Sequence, residues 1–306
     1  MDHISIILVD YNSHQLTLMC LKSLQELRAK KFTFSIVIVD NASQESLQLP
    51  KSLKADHIHV IRSDSNLGFS GGNNLGITYA AEHYNPDFIC LLNNDTTVDP
   101  DFLTHLHQQL KNEDSGGMIS PKIYFAKGYE YHQKAYPKSE PGNVIWYGGG
   151  AIDWPNLIAF HCGVDEIDRD QLSQTTGTDF CTGCCILISR EILETVGMLD
   201  DKLFLYYEDV DLSLRAQKKG FKTLYCPDSK IWHHNGGSSG GAGSALQNYY
   251  QTRNRVYMGL KYGSWRVRLT SLLYSFRTLL GGTTVEKKAV LHAITGKMGK
   301  QPYDKI

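Results

Sequence analysis

Residues 4–12 read Ile-Ser-Ile-Ile-Leu-Val-Asp-Tyr-Asn, an apolar run that ends abruptly in polar side chains. Leucines at largely helical spacing follow from Leu16 to Leu27, and Ser13 precedes them as an expected N-cap. A second apolar run, Phe34-Ser-Ile-Val-Ile-Val39, comes next. Unbroken apolar strands that alternate with helices are typical of a parallel sheet covered by helices on both faces. The chain is therefore predicted to be an α/β protein.

Four apolar runs of this kind each end in a polar loop. The third and fourth are His59-Val-Ile61 and Phe88-Ile-Cys-Leu-Leu92, and a glycine-rich loop at residues 68–72 is expected to open a second helix. The carboxyl ends of parallel strands meet along one edge of a sheet, where ligands bind. We therefore expect one shared site, formed by the loops Asp10-Tyr-Asn12, Asp40-Asn-Ala-Ser43, Asn66-Leu-Gly-Phe-Ser-Gly-Gly-Asn-Asn74 and Asn93-Asn-Asp95.

The overall composition is that of an ordinary globular protein: 306 residues, 42% hydrophobic and 21% charged, with a net charge of −1. It argues against a disordered, collagen-like or disulfide-scaffold protein. The charge is unevenly placed, because residues 251–306 carry 11 Lys and Arg against 2 Asp and Glu. The near-neutral total excludes a uniformly basic nucleic-acid binder and leaves room for a basic surface near the C-terminus.

The seven cysteines favour a reducing compartment. Cys20 and Cys90 lie in apolar contexts that predict core positions, and Cys181, Cys184 and Cys185 are interpreted as part of a buried strand of small residues. The alternative for this Cys-x-x-Cys spacing, a structural zinc, lacks a second ligand pair. The chain begins with a strand and has no apolar run of transmembrane length, so we expect no signal peptide and a cytoplasmic location.

The second half of the chain is less regular. Residues 115–180 are expected to form strands and long loops, with Trp146, Tyr147 and Trp154 either stacking on sugar rings or packing in the core. A strand at Cys184-Cys-Ile-Leu-Ile188 follows, and helices are predicted near Ser189 and from Glu208 to Gly220. Residues 231–241, Ile-Trp-His-His-Asn-Gly-Gly-Ser-Ser-Gly-Gly, are expected to form a flexible polar loop.

The C-terminal region carries large apolar side chains at helical spacing, flanked by Arg266, Arg268 and Arg277. This pattern resembles an interfacial helix that lies on an anionic membrane. The alternatives are a helix docked on the domain itself or on a second subunit, as in a homodimer. The apolar positions are Trp265, Leu269, Leu272, Leu273, Phe276, Leu279 and Leu280.

Three local motifs can carry chemistry. Asp95, with flanking amides at a strand end, suits a divalent cation bound to a diphosphate, although Asn and Asp also form turns. Glu208, Asp209 and Asp211 lie at a helix start, where the dipole favours carboxylates and where one of them can act as a general base. His233 beside a Trp is either structural or a metal ligand.

Taken in order, these motifs resemble the family-2 inverting glycosyltransferases, and most closely the rhamnosyltransferase-like enzymes of bacterial surface-polysaccharide synthesis. The resemblance covers about residues 3–260 and rests on the ordered set Ile-Leu-Val-Asp-Tyr-Asn, Val-Asp-Asn-Ala-Ser, Asn-Leu-Gly-Phe-Ser-Gly-Gly-Asn-Asn, Leu-Leu-Asn-Asn-Asp, Thr-Gly-Cys-Cys-Ile-Leu-Ile, Phe-Leu-Tyr-Tyr-Glu-Asp-Val-Asp-Leu and Trp-His-His. It implies a GT-A fold: a Rossmann-like mixed sheet covered by helices, here with a C-terminal helical extension.

The resemblance also implies a site. Asp209 would be the catalytic base with Glu208 beside it, and Asp95 with His233 would hold a divalent cation, Mg²⁺ or Mn²⁺. The implied substrate-binding residues are Val9, Tyr11, Asn12, Asp40, Asn66, Gly71, Gly72, Asn73, Asn93, Asn94, Trp146, Thr182 and Gly183.

The implied reaction moves a sugar from a nucleotide-sugar donor, dTDP-rhamnose or a UDP-sugar, to a glycan or lipid-linked glycan acceptor. Two residues depart from the family pattern. Asn93 stands where the first acid of Asp-x-Asp is expected, so Asp95 must carry most of the metal charge. The run from Gln251 to Asn254 lacks the Trp of the Gln-x-x-Arg-Trp motif of processive relatives, which suggests a single-addition enzyme.

The predicted organisation has three parts: a nucleotide-sugar-binding half at residues 1–115, an acceptor-binding and catalytic half at 116–245, and a basic amphipathic extension at 246–306. A dinucleotide oxidoreductase is disfavoured because its glycine fingerprint should follow the first strand, where Asp10 stands instead. A nucleotidyltransferase would want a basic glycine-rich loop there. A catalytically degenerate subunit of a polysaccharide-assembly complex stays as the alternative, and Asn93 alone favours it.

Overall fold

The computed structural model describes residues 1–29, 31–113, 116–235 and 243–301. Most of the described chain is built around one large sheet. The strands are β1 (Asp2–Asp10), β2 (Phe32–Asp40), β3 (Ile58–Arg62), β4 (Phe88–Leu92), β5 (Thr96–Val98), β6 (Gly117–Phe125), β7 (Ile145–Tyr147), β8 (Gly150–Asp153), β9 (Ile158–His161), β10 (Thr176–Gly177), β11 (Cys185–Ser189) and β12 (Lys222–His233).

The α-helices connect these strands in the first 220 residues and form a separate group at the C-terminal end of the chain. They are α1 (His14–Leu24), α2 (Gly68–Tyr84), α3 (Phe102–Lys111), α4 (Arg190–Val196), α5 (Glu208–Lys218), α6 (Ala245–Tyr262), α7 (Trp265–Gly281) and α8 (Thr284–Ile294).

The large sheet has the order β10-β12-β6-β11-β4-β1-β2-β3, with β5 paired to β12 and β7 to β6. The strands β4, β1, β2 and β3 are parallel, as their alternation with helices predicts. The strand β11 lies antiparallel between β4 and β6, which makes the sheet mixed. Because β11 pairs with β4, the loops around residues 93 and 183 meet at one edge of the sheet.

Most of the predicted apolar runs are confirmed as the core of this sheet, but the run at residues 59–61 lies in the edge strand β3, where Val60 is exposed. The run at residues 88–92 is β4 itself, the runs in β1, β2 and β3 are one or two residues shorter than the strands at either end, and the run at residues 184–188 is shifted by one residue against β11. Ser13 is at the N-cap position of α1, but its hydroxyl makes no capping bond and instead donates to Asp10 Oδ1 at 2.8 Å. Its side chain therefore belongs to the site edge and not to the helix cap.

Burial decides several of the alternatives. Cys20, Cys90 and Cys185 are fully buried, and all seven cysteines are free thiols. Within the described ranges no group of three or more His, Cys, Asp or Glu side chains could hold a metal ion, so the zinc alternative finds no support there. Tyr147 is fully buried, and its hydroxyl donates to the Phe180 carbonyl at 2.8 Å, which excludes it from sugar stacking.

The last three helices pack mainly on one another. None of the helices in the part of the chain that the structure describes is both long and apolar enough to cross a membrane. The predicted loop at residues 231–241 is wrong at its start, because Ile231, Trp232 and His233 belong to β12, and residues 236–242 lie outside the described residues. The large sheet draws strands from both predicted halves, and the three-part division of the chain stays a prediction.

Candidate active site

A cavity of about 520 Å³ opens where β1, β2 and β4 end. Its volume is typical of small-molecule sites, which measure roughly 300–1,000 Å³. The edge predicted from the four polar loops is therefore a real concave site. Twelve of the predicted site residues line the cavity: Val9, Tyr11, Asn66, Asn93, Asn94, Asp95, Trp146, Thr182, Gly183, Glu208, Asp209 and His233.

Two further predicted residues, Asp40 and Asn12, order the loops beside the cavity without lining it. Asp40 Oδ1 accepts the Ser43 N–H at 2.9 Å, and its other oxygen pairs with Arg62. Burial alone would raise the pKa of Asp40, but the hydrogen bonds have the larger combined effect and lower its pKa below the ordinary value. Asn12 Oδ1 accepts the Gln44 N–H at 2.8 Å. Both side chains thus form their hydrogen bonds within the protein, Asn12 with backbone and Asp40 with backbone and the Arg62 side chain.

The glycine-rich segment is helix and not loop or turn, which corrects the sequence prediction. The helix α2 begins at Gly68, so Gly71, Gly72 and Asn73 lie in its first two turns, away from the cavity lining. A Cβ on Gly72 would stand 2.9 Å from Val9 Cγ1. The glycine is needed because α2 crosses β1 at close range, which leaves no room for a side chain.

Asn94 holds the loop after β4 against α1. Its amide Nδ2 lies 2.7 Å from Ser13 Oγ, 2.7 Å from Thr17 Oγ1 and 3.3 Å from Asp10 Oδ1. Asp10 is fully buried and also accepts the Thr17 hydroxyl at 3.0 Å. The amide therefore points into a buried polar cluster, and the neighbouring Asn93 and Asp95 are left to face the cavity.

Asp95 and His233 lie side by side, as the metal prediction requires. The strand pair β5–β12 places Thr96 opposite His233, and His233 Nε2 lies 3.1 Å from Asp95 Oδ1. The other ring nitrogen, Nδ1, is buried without a hydrogen-bond partner, and the Trp146 ring stands edge-on at 4.6 Å. The pair offers one carboxylate and one imidazole to a ligand in the cavity.

The start of α5 brings two adjacent carboxyls to the cavity in different surroundings. Asp209 Oδ2 accepts the Gly183 N–H at 2.8 Å, and Oδ1 accepts the Val210 N–H at 2.8 Å. Glu208 is 5% exposed, and its Oε2 is buried without a partner. Both oxygens of Asp209 are thus held by backbone donors, whereas one oxygen of Glu208 has no donor.

These different surroundings act differently on the pKa values of Glu208 and Asp209. Burial, with Asp209 as a neighbouring negative charge, raises the pKa of Glu208 well above its ordinary value, which favours the protonated form of this carboxyl. Burial also raises the pKa of Asp209, while the Gly183 and Val210 N–H groups oppose that rise. Asp209 is therefore the member of the pair that ionises first, with enhanced basicity.

An aromatic wall closes the cavity opposite α2. Trp146 and His161 form it, with the rings 4.4 Å apart and His161 Nδ1 at 3.1 Å from the Trp146 carbonyl. Burial lowers the pKa of His161 to about 4, so its imidazole is neutral at physiological pH. Phe160 and Val164 lie at the exposed rim. Of the residues in this wall, only Trp146 was predicted from the sequence.

The contribution of α6 to the site was not predicted, because residues 246–306 were assigned to a basic amphipathic extension. Leu246, Gln247 and Gln251 line the cavity. The missed signal was their spacing, because positions 247 and 251 fall on one helical face with Asn254. The C-terminal region is thus part of the site.

The chain belongs to a glycosyltransferase family: residues 3–259 match the one described as glycosyltransferase like family 2. Among curated relatives it is 27% identical over 255 residues to the low-salt glycan biosynthesis hexosyltransferase Agl10 of Haloferax volcanii, covering 83% of this chain and 75% of that protein. It is also 21% identical to the N-acetylglucosaminyl-diphospho-decaprenol L-rhamnosyltransferase of Mycobacterium tuberculosis, over 76% of each chain.

The fold is confirmed by a solved structure, that of GalNAc-T7 with UDP, GalNAc and Mn²⁺. It superposes with a TM-score of 0.66 at 16% identity, over 98% of this chain and 55% of that longer chain. The architecture is therefore the predicted GT-A fold with added C-terminal helices. The two curated relatives named above are a hexosyltransferase and a rhamnosyltransferase, which agrees with the family and subgroup inferred from the ordered motifs.

Proposed function

We propose that the protein is an inverting glycosyltransferase of cell-surface polysaccharide synthesis. It moves a sugar from a nucleotide-diphosphate donor, dTDP-rhamnose or a UDP-sugar, to a glycan or lipid-linked glycan. The observation that carries this proposal is the cavity itself, which has the Asp95–His233 pair on one side and an ordered carboxylate, Asp209, on the other. The leaving diphosphate needs a cation site, which the Asp95–His233 pair offers, and the attacking hydroxyl needs a base, which Asp209 offers.

In the proposed reaction Asp209 accepts a proton from the acceptor. The acceptor oxygen attacks the anomeric carbon, the bond from that carbon to the β-phosphate oxygen breaks, and the nucleoside diphosphate leaves. The hydroxyl proton passes to the Asp209 carboxylate. The Gly183 and Val210 N–H groups fix the orientation of that carboxylate. General-base catalysis of this kind typically contributes ~10²–10⁴-fold to the rate.

The residues present fit a divalent cation. Asp95 and His233 supply one hard oxygen and one imidazole nitrogen, and the donor diphosphate supplies the oxygens that Mg²⁺ or Mn²⁺ also prefers. His233 Nδ1 is also a buried nitrogen without a hydrogen-bond partner in the protein. A cation held here supplies positive charge against the leaving diphosphate. Asn93, which also lines the cavity, adds a neutral amide where a second acid would be expected.

The donor would lie along the ends of β1 and β4. Val9 and Tyr11 line this side of the cavity and are assigned to the base and ribose, and Asn66, which also lines the cavity, is assigned to the border of the nucleotide. Thr182 and Gly183 face them from the loop before β11. Asp40, Asn12 and the start of α2 support that side through the loops and packing described above.

We infer that the protein works at a membrane surface, through α7. The side of this helix that faces the protein carries the small residues Ser271 and Ser275, whereas Trp265 is 71% exposed and Phe276 61% exposed. The apolar face thus points outward, the reverse of the usual arrangement in a soluble protein. Exposed arginines, of which Arg277 is one, flank it. A positively charged, apolar face complements anionic lipid.

A second copy of the chain is the alternative occupant, and charge disfavours it. A two-fold contact through α7 would bring arginines against arginines without acidic partners in this helix. A location at the membrane surface also suits a lipid-linked acceptor. Phe160, which is 46% exposed at the cavity rim, is an apolar side chain that the lipid part of such an acceptor can contact.

The experiment that tests the proposed function is a screen of nucleotide sugars with Mn²⁺ or Mg²⁺. Thermal shift reports binding, and release of nucleoside diphosphate reports donor cleavage. Stabilisation by one donor, together with its hydrolysis or transfer, is the expected result. Stabilisation without any cleavage, in the presence of cell-envelope lipid extracts as acceptors, would support the degenerate-subunit alternative instead.

A further inference from the structure

The backbone in front of the proposed base is strained. Phe204, Tyr206 and Tyr207 all have left-handed backbone angles, with φ of 63°, 69° and 73°, and α5 begins at the next residue, Glu208. Side chains with a Cβ rarely adopt this conformation, so the surrounding structure must impose it. We call residues 203–207 the strained turn. The position of Asp209 depends on it.

Two side chains of α6 hold the strained turn by its carbonyls. Asn254 Nδ2 lies 3.0 Å from Leu203 O, 2.9 Å from Leu205 O and 2.7 Å from Tyr206 O. Arg253 Nη2 donates to Leu203 O at 2.8 Å. Both side chains are fully buried. Backbone groups that no regular element satisfies are thus satisfied by this pair.

The pair is itself fixed in orientation. Arg253 Nε donates to Asn254 Oδ1 at 2.9 Å, which directs the amide nitrogen toward the carbonyls. Arg253 Nη1 donates to Gly299 O at 2.7 Å, and its guanidinium lies 4.8 Å from the centre of the Tyr250 ring. The donors are therefore held in place before any ligand binds.

The end of α6 holds the other side of Asp209. Lys261 Nζ donates to Asp211 Oδ1 at 2.7 Å, and the Tyr262 hydroxyl donates to the same oxygen at 2.5 Å. Asp211 is fully buried and belongs to the first turn of α5. Burial opposes its ionisation, but Lys261, Tyr262 and Arg215 together lower the pKa of Asp211 below its ordinary value.

We propose that α6 is a positioning brace for the catalytic carboxylate: Arg253 and Asn254 hold the turn before Asp209, and Lys261 holds the helix after it. None of the three lines the cavity. They are positioning residues, and their effect passes through the backbone of residues 203–211. The inference rests on the proposed function of Asp209, and it assigns a role to a helix outside the strand-end motifs.

The test is Asn254→Asp, which keeps the size of the side chain and the contact to Arg253 while removing the amide donor. The matched control is Asn248→Asp, the same exchange at an exposed position of the same helix. We expect kcat to fall on the order of 10- to 100-fold in Asn254→Asp, with nucleotide affinity within about twofold of wild type. Asn248→Asp should match wild type.

Hydrogen exchange provides a readout that needs no turnover. Peptides that cover residues 203–210 should exchange faster in Asn254→Asp than in wild type, while peptides from β1 and β4 stay unchanged. A merely structural role would lower the melting temperature without this split between kcat and nucleotide affinity. The brace is overturned if folded Asn254→Asp keeps kcat within about twofold of wild type.

A milder variant covers the case in which Asn254→Asp does not fold. Lys261→Met keeps the stem of a partly exposed side chain and removes the ammonium from Asp211. It should lower kcat by about threefold or more at unchanged nucleotide affinity, and an unchanged kcat would overturn the brace. If wild type itself transfers no sugar, the proposed function is wrong. If wild type transfers sugar but hydrogen exchange at residues 203–210 is unchanged in Asn254→Asp, only the proposed role of α6 is wrong.

Discussion

Gly183 and Asp209 are joined by a hydrogen bond of 2.8 Å from the Gly183 backbone N–H to Asp209 Oδ2, across 26 residues of sequence. The bond connects the loop before β11 to the first turn of α5 at the wall of the cavity. It leaves the carboxylate ordered and ionisable next to Glu208, which has no such donor on Oε2. The difference between these neighbours underlies the first prediction.

Glu208→Gln should make the protein less sensitive to rising pH. Because the pKa of Glu208 is raised in the folded state, its contribution to stability is complete below the unfolded pKa. That contribution is lost as pH rises toward the folded pKa. The neutral variant lacks this loss, so its melting temperature should fall less than that of wild type above about pH 4.3, the ordinary Glu pKa.

The control for this measurement is Glu194→Gln, at an exposed position of α4. It should track wild type across the same pH series. Parallel pH curves for wild type and Glu208→Gln would show that Glu208 is not held protonated by the fold.

The sequence predicted the strand framework well because β1, β2 and β4 are buried on both faces and therefore apolar throughout. It also placed Asp95 in the site because this residue follows an apolar run, whereas Asp209 and His233 were assigned to the same site through the resemblance of the ordered motifs to the family. It failed at Gly71–Asn73, where glycine serves helix packing and not a loop. It could not show Arg253 and Asn254 acting on residues 203–206, because that contact joins segments about 50 residues apart.

Gly72→Ala should destabilise the protein. The added Cβ would lie 2.9 Å from Val9 Cγ1 and 3.2 Å from Asn41 Nδ2, so α2 or β1 must shift. Overpacking of this kind costs about 1–3 kcal/mol. Chemical denaturation measures the loss. Gly281→Ala is the matched control, because a Cβ there meets nothing within 4 Å at the end of α7, and its stability should equal or slightly exceed that of wild type.

Asp95→Asn should remove the effect of a divalent cation on nucleotide binding. With Asp95 neutral, only the His233 imidazole and a neutral amide face the diphosphate, so the cation loses its charged ligand. Calorimetry measures the affinity for the nucleoside diphosphate with Mn²⁺ and with EDTA. This affinity should differ between the two conditions both in wild type and in the exposed control Asp64→Asn. The same Mn²⁺ dependence in Asp95→Asn would place the cation elsewhere.

Phe276→Ser together with Leu272→Ser should weaken binding to anionic vesicles without loss of stability. Both side chains are about half or more exposed, at 61% and 49%, so their removal leaves no cavity in the protein. Co-sedimentation with vesicles that contain phosphatidylglycerol, compared with neutral vesicles, measures the effect. If the variant instead changes from dimer to monomer in solution and binds vesicles like wild type, the face of α7 joins two copies of the chain.

The central claim is that Asp209 is the base, and Asp209→Asn tests it most directly. The amide keeps the size of the carboxylate and one acceptor oxygen for the Gly183 N–H, but it cannot take the acceptor proton. The assay is sugar transfer from the donor found in the nucleotide-sugar screen, with nucleotide affinity measured on the same sample. We expect transfer to fall by about 10²–10⁴-fold while nucleotide affinity is retained. Transfer at a near wild-type rate by the purified variant would contradict the account.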